Sequence, residues 1–396
     1  MTGAGSGAET QPTAQVTDLR PRRARAGLVL TGGGARAAYQ VGVVKAVRDI
    51  LGSPQKNPFP ILCGTSAGAI NATTLAVYAD NFTRGVGNLL EVWENMHVDH
   101  VYRADTASIV RGGARWLSAL MLMSRKNPVS LLDNTPLQEM LRSTLPFDRI
   151  QDNIDCGALY AVSVTASGYT SGQSVSFFQG GSGTEGWERN QRIGAAVTLK
   201  LEYLLASAAL PFIFPAVKVH REYFGDGSMR QIAPISPALH LGADRVLVVG
   251  TGRQTLDTAR ARSNVYPSLA QIAGHALNSI FLDTLAVDLE RLERINRTVS
   301  LIPSDRLADG GTTLKPIKVL FISPSQPIER IAARFLHELP RPVRFLLRPT
   351  GAMNRSGSNL ASYLLFEQSF CRALVDLGYQ DTVAREHEVR EFFVDT

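Results

Sequence analysis

Short runs of consecutive hydrophobic residues alternate along the first part of the chain with longer segments whose hydrophobic positions recur every three or four residues. The first run covers residues 28–30, and valines and alanines then recur at helical spacing over residues 37–49. A second run at residues 60–63 precedes a helical pattern over residues 69–78. Strands that alternate with helices in this way are typical of a parallel sheet with crossover helices. The pattern therefore predicts an α/β fold.

The same patterns continue downstream and divide the chain. Further strands are predicted at residues 158–165, 175–178 and 245–249. From there the pattern is mostly helical, with its longest run at residues 270–296 and several prolines that interrupt it. The first residues contain too few aliphatic side chains to offset the entropic cost of ordering. We predict a disordered leader over residues 1–25, an α/β domain over residues 26–252 and a mainly helical C-terminal extension over residues 253–396.

Composition narrows the class of protein. Of 396 residues, 44% are hydrophobic and 19% are charged, which excludes a wholly disordered or fibrous chain. The 3 cysteines are too few and too scattered for a disulfide scaffold or a zinc knot, and they fit a reducing compartment such as the cytoplasm. No stretch of about 18 consecutive apolar residues occurs, so no transmembrane helix is predicted.

The formal net charge of +6 suits an anionic membrane surface and a nucleic acid equally well. No zinc-finger or RNA-recognition motif occurs, so a nucleic-acid partner is not expected. Basic residues concentrate in residues 111–126, beside Trp116 and a run of Leu and Met, and in residues 328–348. Such segments are typical of a membrane interface, although a buried helix of an inserted cap explains residues 111–126 as well.

A G-x-S-x-G motif lies between the second predicted strand and the helix that follows it. A serine at such a turn sits on a sharp elbow with its hydroxyl exposed at the carboxyl edge of the sheet, where it can act as a nucleophile. The alternative is a glycine-rich helix start with the serine as N-cap. We predict that Ser66 is the nucleophile. The remaining elbow residues are Gly64, Thr65, Ala67 and Gly68.

Three consecutive glycines follow the first predicted strand. Their backbone N–H groups can converge on one point beside the positive end of a helix, which is what a phosphate or the oxyanion of a tetrahedral intermediate requires. We predict that Arg36 orients this loop or meets a phosphate head group, with a surface ion pair as the alternative. The predicted oxyanion hole consists of Gly32, Gly33, Gly34 and Arg36.

The same segment, continued to Ala37, matches the dinucleotide-binding fingerprint G-x-G-x-x-G/A. That fingerprint requires an acidic residue about 20 positions further on, at the end of the second strand. Residues 52–57 contain no acid, and the second strand ends instead at the Ser66 motif. We therefore expect no dinucleotide cofactor. No metal is expected either, because no cluster of ligand side chains has suitable spacing.

An aspartate between two glycines, Asp226, follows the aromatic pair Tyr223 and Phe224. Taken alone, this segment favours an Asp-Gly hairpin turn. Taken together and in this order, the glycine loop, the Ser66 motif and the Asp226 motif resemble those of the patatin-like phospholipases. Residues 207–215 also resemble the small-residue and proline segment that precedes the aspartate of that family.

The resemblance covers residues 27–250, with two departures. Ala37 stands where the family usually has a glycine, and Ser228 stands where it has glycine or alanine. The resemblance implies a three-layer α/β/α hydrolase with a central, mostly parallel sheet. It also implies a Ser66–Asp226 dyad that needs no histidine, in agreement with the 7 dispersed histidines of the sequence.

In such a dyad the Asp226 carboxylate accepts the proton of the Ser66 hydroxyl. A carboxylate is a weak base at its usual pKa of about 3.9, so we expect partial burial to raise the pKa of Asp226. The neighbouring rings of Tyr223 and Phe224 are expected to form an apolar wall around it.

The resemblance implies a lipid acyl hydrolase that cleaves phospholipids or lysophospholipids, and the basic segments suggest peripheral contact with an anionic membrane surface. One alternative is an esterase or acyltransferase that acts on other acyl esters. Another is a catalytically weak or inactive lipid-binding or regulatory protein, if Ala37 and Ser228 spoil the geometry of the site. No motif in residues 253–396 indicates a role for the extension.

Overall fold

One mixed sheet organises the part of the chain that the computed structural model describes, namely residues 25–120, 130–253, 266–303, 306–307, 314–354 and 357–394. The strands are β1 (Ala26–Leu30), β2 (Ile61–Thr65), β3 (Ala161–Gly168), β4 (Ser174–Gly180), β5 (Trp187–Arg189), β6 (Arg192–Ala196), β7 (Val217–Val219), β8 (Glu222–Asp226), β9 (Arg245–Val249) and β10 (Lys318–Ile322). Residues 1–24 of the predicted leader and residues 121–126 of the first basic segment lie outside the described residues.

Helices connect and cover these strands. They are α1 (Ala38–Ile50), α2 (Ala67–Val77), α3 (Phe82–Glu94), α4 (Thr106–Leu120), α5 (Thr135–Thr144), α6 (Asp148–Asp155), α7 (Leu201–Ser207), α8 (Ser236–His240), α9 (Leu269–Asn278), α10 (Thr284–Ser300), α11 (Ile328–Phe335), α12 (Arg341–Leu347), α13 (Ser358–Ser362), α14 (Gln368–Val383) and α15 (Glu386–Phe393). Short 3-10 helices cover Gly34–Ala37, Val98–His100, Gly227–Met229, Leu336–Glu338 and Arg348–Thr350, and a π-helical turn over Ser279–Asp283 joins α9 to α10.

The centre of the sheet is parallel. Its order is β10-β9-β1-β2-β3-β4-β6-β5, and β8 pairs with both β3 and β7. Every pairing from β10 to β3 is parallel, whereas β4 and β8 both run antiparallel to β3. All residues of β1, β2, β3 and β9 are buried, which explains why β1 and β9 contain continuous apolar runs at residues 28–30 and 246–249.

Alternate residues of the central strands face helices on opposite sides of the sheet. Leu28 and Leu30 belong to the larger core, which includes residues of α1, α2, α3 and α14. Val29, between them, belongs to a second core with residues of α8 and α10. These three layers confirm the predicted α/β/α architecture with a mostly parallel central sheet.

The predicted elements agree with the structure where the sequence pattern is strong. The strand predicted at residues 245–249 coincides with β9, and the helix predicted at residues 37–49 is α1, shifted by one residue at each end. β10 was not predicted, because an apolar run of four residues is not distinguishable by periodicity from part of a buried helix. It pairs in parallel with β9 and so extends the sheet.

The C-terminal extension packs directly on the first helix of the α/β domain. α14 lies against α1 so closely that a Cβ atom at Gly42 would collide with the carbonyl oxygen of Val375. A Cβ atom at Gly378 would likewise collide with the carbonyl oxygen of Tyr39. Within the described ranges, no helix combines the length and the apolar character needed to cross a membrane.

Candidate active site

Ser66 occupies a strained turn between β2 and α2. Its φ of 56° and ψ of −131° lie outside the regions that non-glycine residues favour. Ser66 holds the N-cap position of α2, but its side chain makes no capping hydrogen bond, so the alternative of a simple N-cap serine is wrong. The geometry matches a nucleophile elbow, in which the turn projects the hydroxyl away from the helix.

Both glycines of the elbow motif are required by close backbone contacts. A Cβ atom at Gly64 would come within 2.5 Å of the Cα atom of Ala69, in the first turn of α2. A Cβ atom at Gly68 would come within 2.5 Å of the carbonyl oxygen of Thr31, just after β1. These contacts press α2 against the ends of β1 and β2, and they set the sharp angle at Ser66.

Ser207 supports the elbow from the opposite side. Its hydroxyl accepts a hydrogen bond from the backbone N–H of Ser66 at 2.8 Å and donates one to the carbonyl oxygen of Thr165 at 2.6 Å. Ser207 is fully buried at the end of α7. Ser207 belongs to the segment at residues 207–215 that resembles the family, but no role was predicted for it. The available signal was a hydroxyl in an otherwise apolar segment.

The register of the sheet brings Asp226 to Ser66 across 160 positions of sequence. The last residue of β2, Thr65, pairs with Thr165 of β3. The next residue of β3, Ala166, pairs with Asp226, so β8 continues the edge of β3 where β2 stops. Asp226 ends a strand and precedes a 3-10 turn, so the hairpin turn considered for this segment is not formed.

Asp226 is fully buried and only partly hydrogen-bonded. Its Oδ1 accepts from the N–H of Ser228 at 2.9 Å, whereas Oδ2 has no hydrogen-bond partner among the described residues. Burial raises the pKa of Asp226 from 3.8 to about 6, and the hydroxyls of Ser66 and Ser228 act in the opposite direction. The Ser66 hydroxyl is thus near enough to lower this pKa without completing a hydrogen bond to Oδ2.

The apolar surroundings of Asp226 differ from those expected. Phe224 is buried and packs edge-on against Phe177. Tyr223 is 54% exposed, because its side chain lies on the opposite face of β8 from that of Phe224. Tyr223 therefore forms no wall around the carboxylate, and the expectation was wrong for this residue.

The glycine loop is held by residues on both sides of it. Thr251, just after β9, donates its hydroxyl to the carbonyl oxygen of Gly32 at 2.6 Å. Gly34 has a φ of 55°, and a Cβ atom there would collide with the carbonyl oxygen of Tyr363. The N–H of Ala35 donates to that same oxygen at 3.1 Å. In the described part of the chain, the N–H groups of Gly33 and Gly34 have no hydrogen-bond partner.

Arg36 anchors this loop to the C-terminal extension. Its side chain is buried and donates to Ser362 at 2.7 Å, to Asn278 at 3.3 Å and to Asn359. Its guanidinium also stacks 4.0 Å from the ring of Tyr363. All of these partners are neutral, so the surface ion pair considered for Arg36 is not formed. Because the N–H donors of the side chain bind the extension and the backbone N–H binds Gly33, Arg36 positions the loop.

A small cavity of about 60 Å³ opens at the carboxyl ends of β2 and β8. Ser66, Asp226, Gly34 and Ala67 line it, whereas Gly32, Gly33, Arg36, Gly64, Thr65 and Gly68 lie outside its lining. Most of the remaining lining is apolar, and it includes Val92, Met96, Leu137, Phe214, Phe281 and Phe366. Phe281, Tyr363 and Phe366 belong to the extension, and no sequence motif indicated them.

The chemistry of the site follows from these positions. A hydroxyl on a strained turn, a buried carboxylate with an unsatisfied oxygen and a loop with free N–H groups meet at the mouth of an apolar cavity. These are the parts required for nucleophilic attack on an acyl group with stabilisation of an oxyanion. Among the described residues, no group of three or more His, Cys, Asp or Glu could hold a metal ion.

Comparison with known proteins places this site in a family. Residues 28–239 match the family model described as patatin-like phospholipase, whereas a search of curated proteins gave no match. Among solved structures, the chain is similar to VipD from Legionella pneumophila, with 13% identity and a TM-score of 0.31 over 86% of this chain and 67% of that one. Because the family model covers more than half of the 396 residues, the chain belongs to the patatin-like phospholipases.

Proposed function

We propose that this protein hydrolyses carboxylic ester bonds of phospholipids or lysophospholipids through a Ser66–Asp226 dyad. Membership in the family supports lipid acyl hydrolysis in general. The observation that carries the more specific proposal is that the strained Ser66 and the fully buried Asp226 line one apolar cavity.

In the proposed first step, the Oγ atom of Ser66 attacks the acyl carbonyl carbon while a carboxylate oxygen of Asp226 accepts its proton. The tetrahedral oxyanion accepts hydrogen bonds from the free N–H groups of the glycine loop, where each donor contributes about 3 kcal/mol. Collapse of the intermediate breaks the ester bond, and the alcohol leaves with the proton held by Asp226. The acyl group remains on Ser66.

In the second step, water attacks the acyl group on Ser66 and gives its proton to Asp226. The second tetrahedral intermediate collapses, the proton returns to Ser66, and the fatty acid leaves. One carboxylate serves both steps as base and then as acid, so no histidine is required. A pKa of about 6 suits this exchange, because the group is ionised at neutral pH yet basic enough to accept a proton.

The lining of the cavity supports an aliphatic acyl substrate. Its lining is almost wholly apolar beyond Ser66 and Asp226, as the burial of an acyl chain requires. The polar head group then remains at the mouth of the cavity.

We further propose that the protein contacts anionic membrane surfaces through α12 and the 3-10 turn that follows it. Arg341, Arg344 and Arg348 surround a surface cavity there, together with Phe345, which is 80% exposed. These arginines form no ion pair with any described residue. α12 packs against α4, so both predicted basic segments contribute to one region of the molecule. An exposed aromatic ring among unpaired arginines suits the interfacial region of an anionic bilayer.

A fluorophosphonate probe tests the proposed chemistry directly. We expect the wild-type protein to be labelled and the Ser66→Ala variant to remain unlabelled, because only an activated serine reacts.

Hydrolysis of defined phospholipids, lysophospholipids and neutral esters then identifies the preferred substrate. Ser66→Ala and Asp226→Asn should each abolish turnover, and turnover retained in Ser66→Ala would refute the proposal. Labelling without hydrolysis of any lipid would point to an esterase or acyltransferase acting on other esters.

A further inference from the structure

A second cavity lies behind the first, between α2, α3 and α5. Its volume is about 540 Å³. Its floor is apolar and includes Leu89, Leu141 and Leu145, while Asn88, Thr144 and His100 lie at its rim. Nothing in the proposed dyad chemistry uses this groove.

The two cavities share one wall. Ile70, Val92, Trp93 and Met140 line both of them, so only side chains separate the groove from the space beside Ser66. Trp93 is fixed, because its ring N–H donates to Asn71 at 2.8 Å. Ile70, Val92 and Met140 are only half-buried, and an unbranched methionine side chain changes rotamer at little cost.

The first cavity is too small for a long acyl chain. Its 60 Å³ has room for about four or five water-sized groups, and a methylene group is of similar size. The groove extends away from Ser66 along α2, since Ile70, Thr74 and Tyr78 follow Ser66 along one side of this helix. From Ser66 to Tyr78 the helix rises by about 18 Å, which is comparable with the length of an extended long-chain fatty acyl group.

We propose that the distal end of a long acyl chain passes between Ile70, Val92 and Met140 and occupies the groove between α2, α3 and α5. The continuity of the two cavities and the apolar floor of the groove carry this inference, which rests on the proposed function. The groove makes the protein selective for long acyl chains, because each buried methylene group adds roughly fourfold to the affinity.

Filling the groove from its rim tests the proposal. Asn88 is half-buried on α3 and lines the groove but not the first cavity, so Asn88→Trp blocks the groove without reaching Ser66. Gly87→Trp is the matched control, because a Cβ atom at Gly87 meets nothing within 4 Å and the residue lines neither cavity. Thr144→Trp fills the groove from α5 and serves as a second variant if Asn88→Trp does not fold.

The measurement is the ratio of kcat/KM for p-nitrophenyl palmitate to that for p-nitrophenyl butyrate, with folding checked by circular dichroism. We expect Asn88→Trp and Thr144→Trp to lower this ratio at least about tenfold, the effect of two or more methylene groups. Gly87→Trp should keep the wild-type ratio. Equal ratios in the wild type and in the folded groove variants would overturn the inference and leave the proposed function standing. Hydrolysis of neither ester by the wild type would instead refute the proposed function.

Discussion

At the scale of single residues, the central feature is a carboxylate that the fold buries without fully hydrogen-bonding it. Asp226 has one satisfied and one unsatisfied oxygen, and burial raises its pKa to about 6. Ser228, where the family has glycine or alanine, donates its backbone N–H to this carboxylate, and its own buried hydroxyl lies against Gly32. The side chain of Ser228 therefore fits in the space between the Asp226 carboxylate and the glycine loop.

The raised pKa predicts the pH dependence of turnover. Only the ionised carboxylate accepts the Ser66 proton, so kcat/KM should increase about tenfold per pH unit below pH 6 and level off above it. A soluble ester measured between pH 4 and pH 9 reports this profile. A profile that still rises steeply between pH 7 and pH 8 would contradict Asp226 as the base.

The same group gives a measurable effect on stability, which serves as a control. The pKa of Asp226 is higher in the folded state than in the unfolded state, so its ionisation destabilises the fold as the pH rises from about 4 to about 6. Replacement by the neutral, isosteric Asn removes this cost. We expect Asp226→Asn to be inactive and yet to raise the Tm at pH 8, with no comparable gain at pH 4.

At the scale of elements, the extension acts as the second half of the site. Arg36 connects the glycine loop to α13 through Ser362 and Asn359, and the carbonyl oxygen of Tyr363 accepts from the N–H of Ala35. Phe281, in the π-helical turn between α9 and α10, lines the catalytic cavity.

Arg341 and Arg344 of α12 and Arg348 of the 3-10 turn that follows it predict salt-sensitive binding to anionic vesicles. Each basic residue near such a surface contributes about 1 kcal/mol, so removal of three should weaken binding by about a hundredfold. The measurement is sedimentation with phosphatidylserine-containing vesicles at low and high salt. The substitutions are Arg341→Gln, Arg344→Gln and Arg348→Gln.

The matched control for this experiment carries the same substitutions on an exposed face of α10. These positions are Arg291, Arg294 and Arg297. The control has the same net charge as the α12 variant, so a general loss of charge would weaken both equally. Equal binding by the two variants would exclude α12 as the contact surface.

At the scale of the whole molecule, the α/β domain and the extension share one sheet and one core. β10 pairs with β9, and α14 covers α1 through the contacts at Gly42 and Gly378. Tyr39 of α1 also donates its hydroxyl to Asp381 of α14 at 3.0 Å. The extension therefore buries part of the larger core, and we do not expect the two parts to fold separately.

A chain that ends at residue 252 tests this dependence. It loses β10, α14 and the partners of Arg36, so we expect no cooperative thermal transition and no reaction with the fluorophosphonate probe. A chain that begins at Arg25 is the control, because it keeps every contact described above. Circular dichroism melts of both chains provide the measurement. A cooperative melt of the shorter α/β chain would show that residues 26–252 fold by themselves.

Local signals in the sequence were sufficient for the central strands, the first helices and the Ser66 elbow. Hydrophobic runs and glycine motifs reflect interactions within a few residues, so they can be recognised without knowledge of the fold. β10 and the supporting role of Ser207 were missed, because their significance depends on partners far away in the chain. Ser207 matters only because Thr165 and Ser66 lie on either side of its hydroxyl.

From the sequence one could predict the order of strands and helices around the two glycine motifs, name Ser66 and Asp226 as candidates for the dyad, and recognise the resemblance to patatin-like phospholipases. The surroundings of these residues became visible in the fold: β8 pairs with β3 beyond the end of β2, Arg36 points toward the extension, and an apolar groove lies beside α2. The physical reason is the range of the interactions. Strand and helix patterns arise between neighbouring residues, whereas burial and cavity shape arise between segments that only the fold brings together.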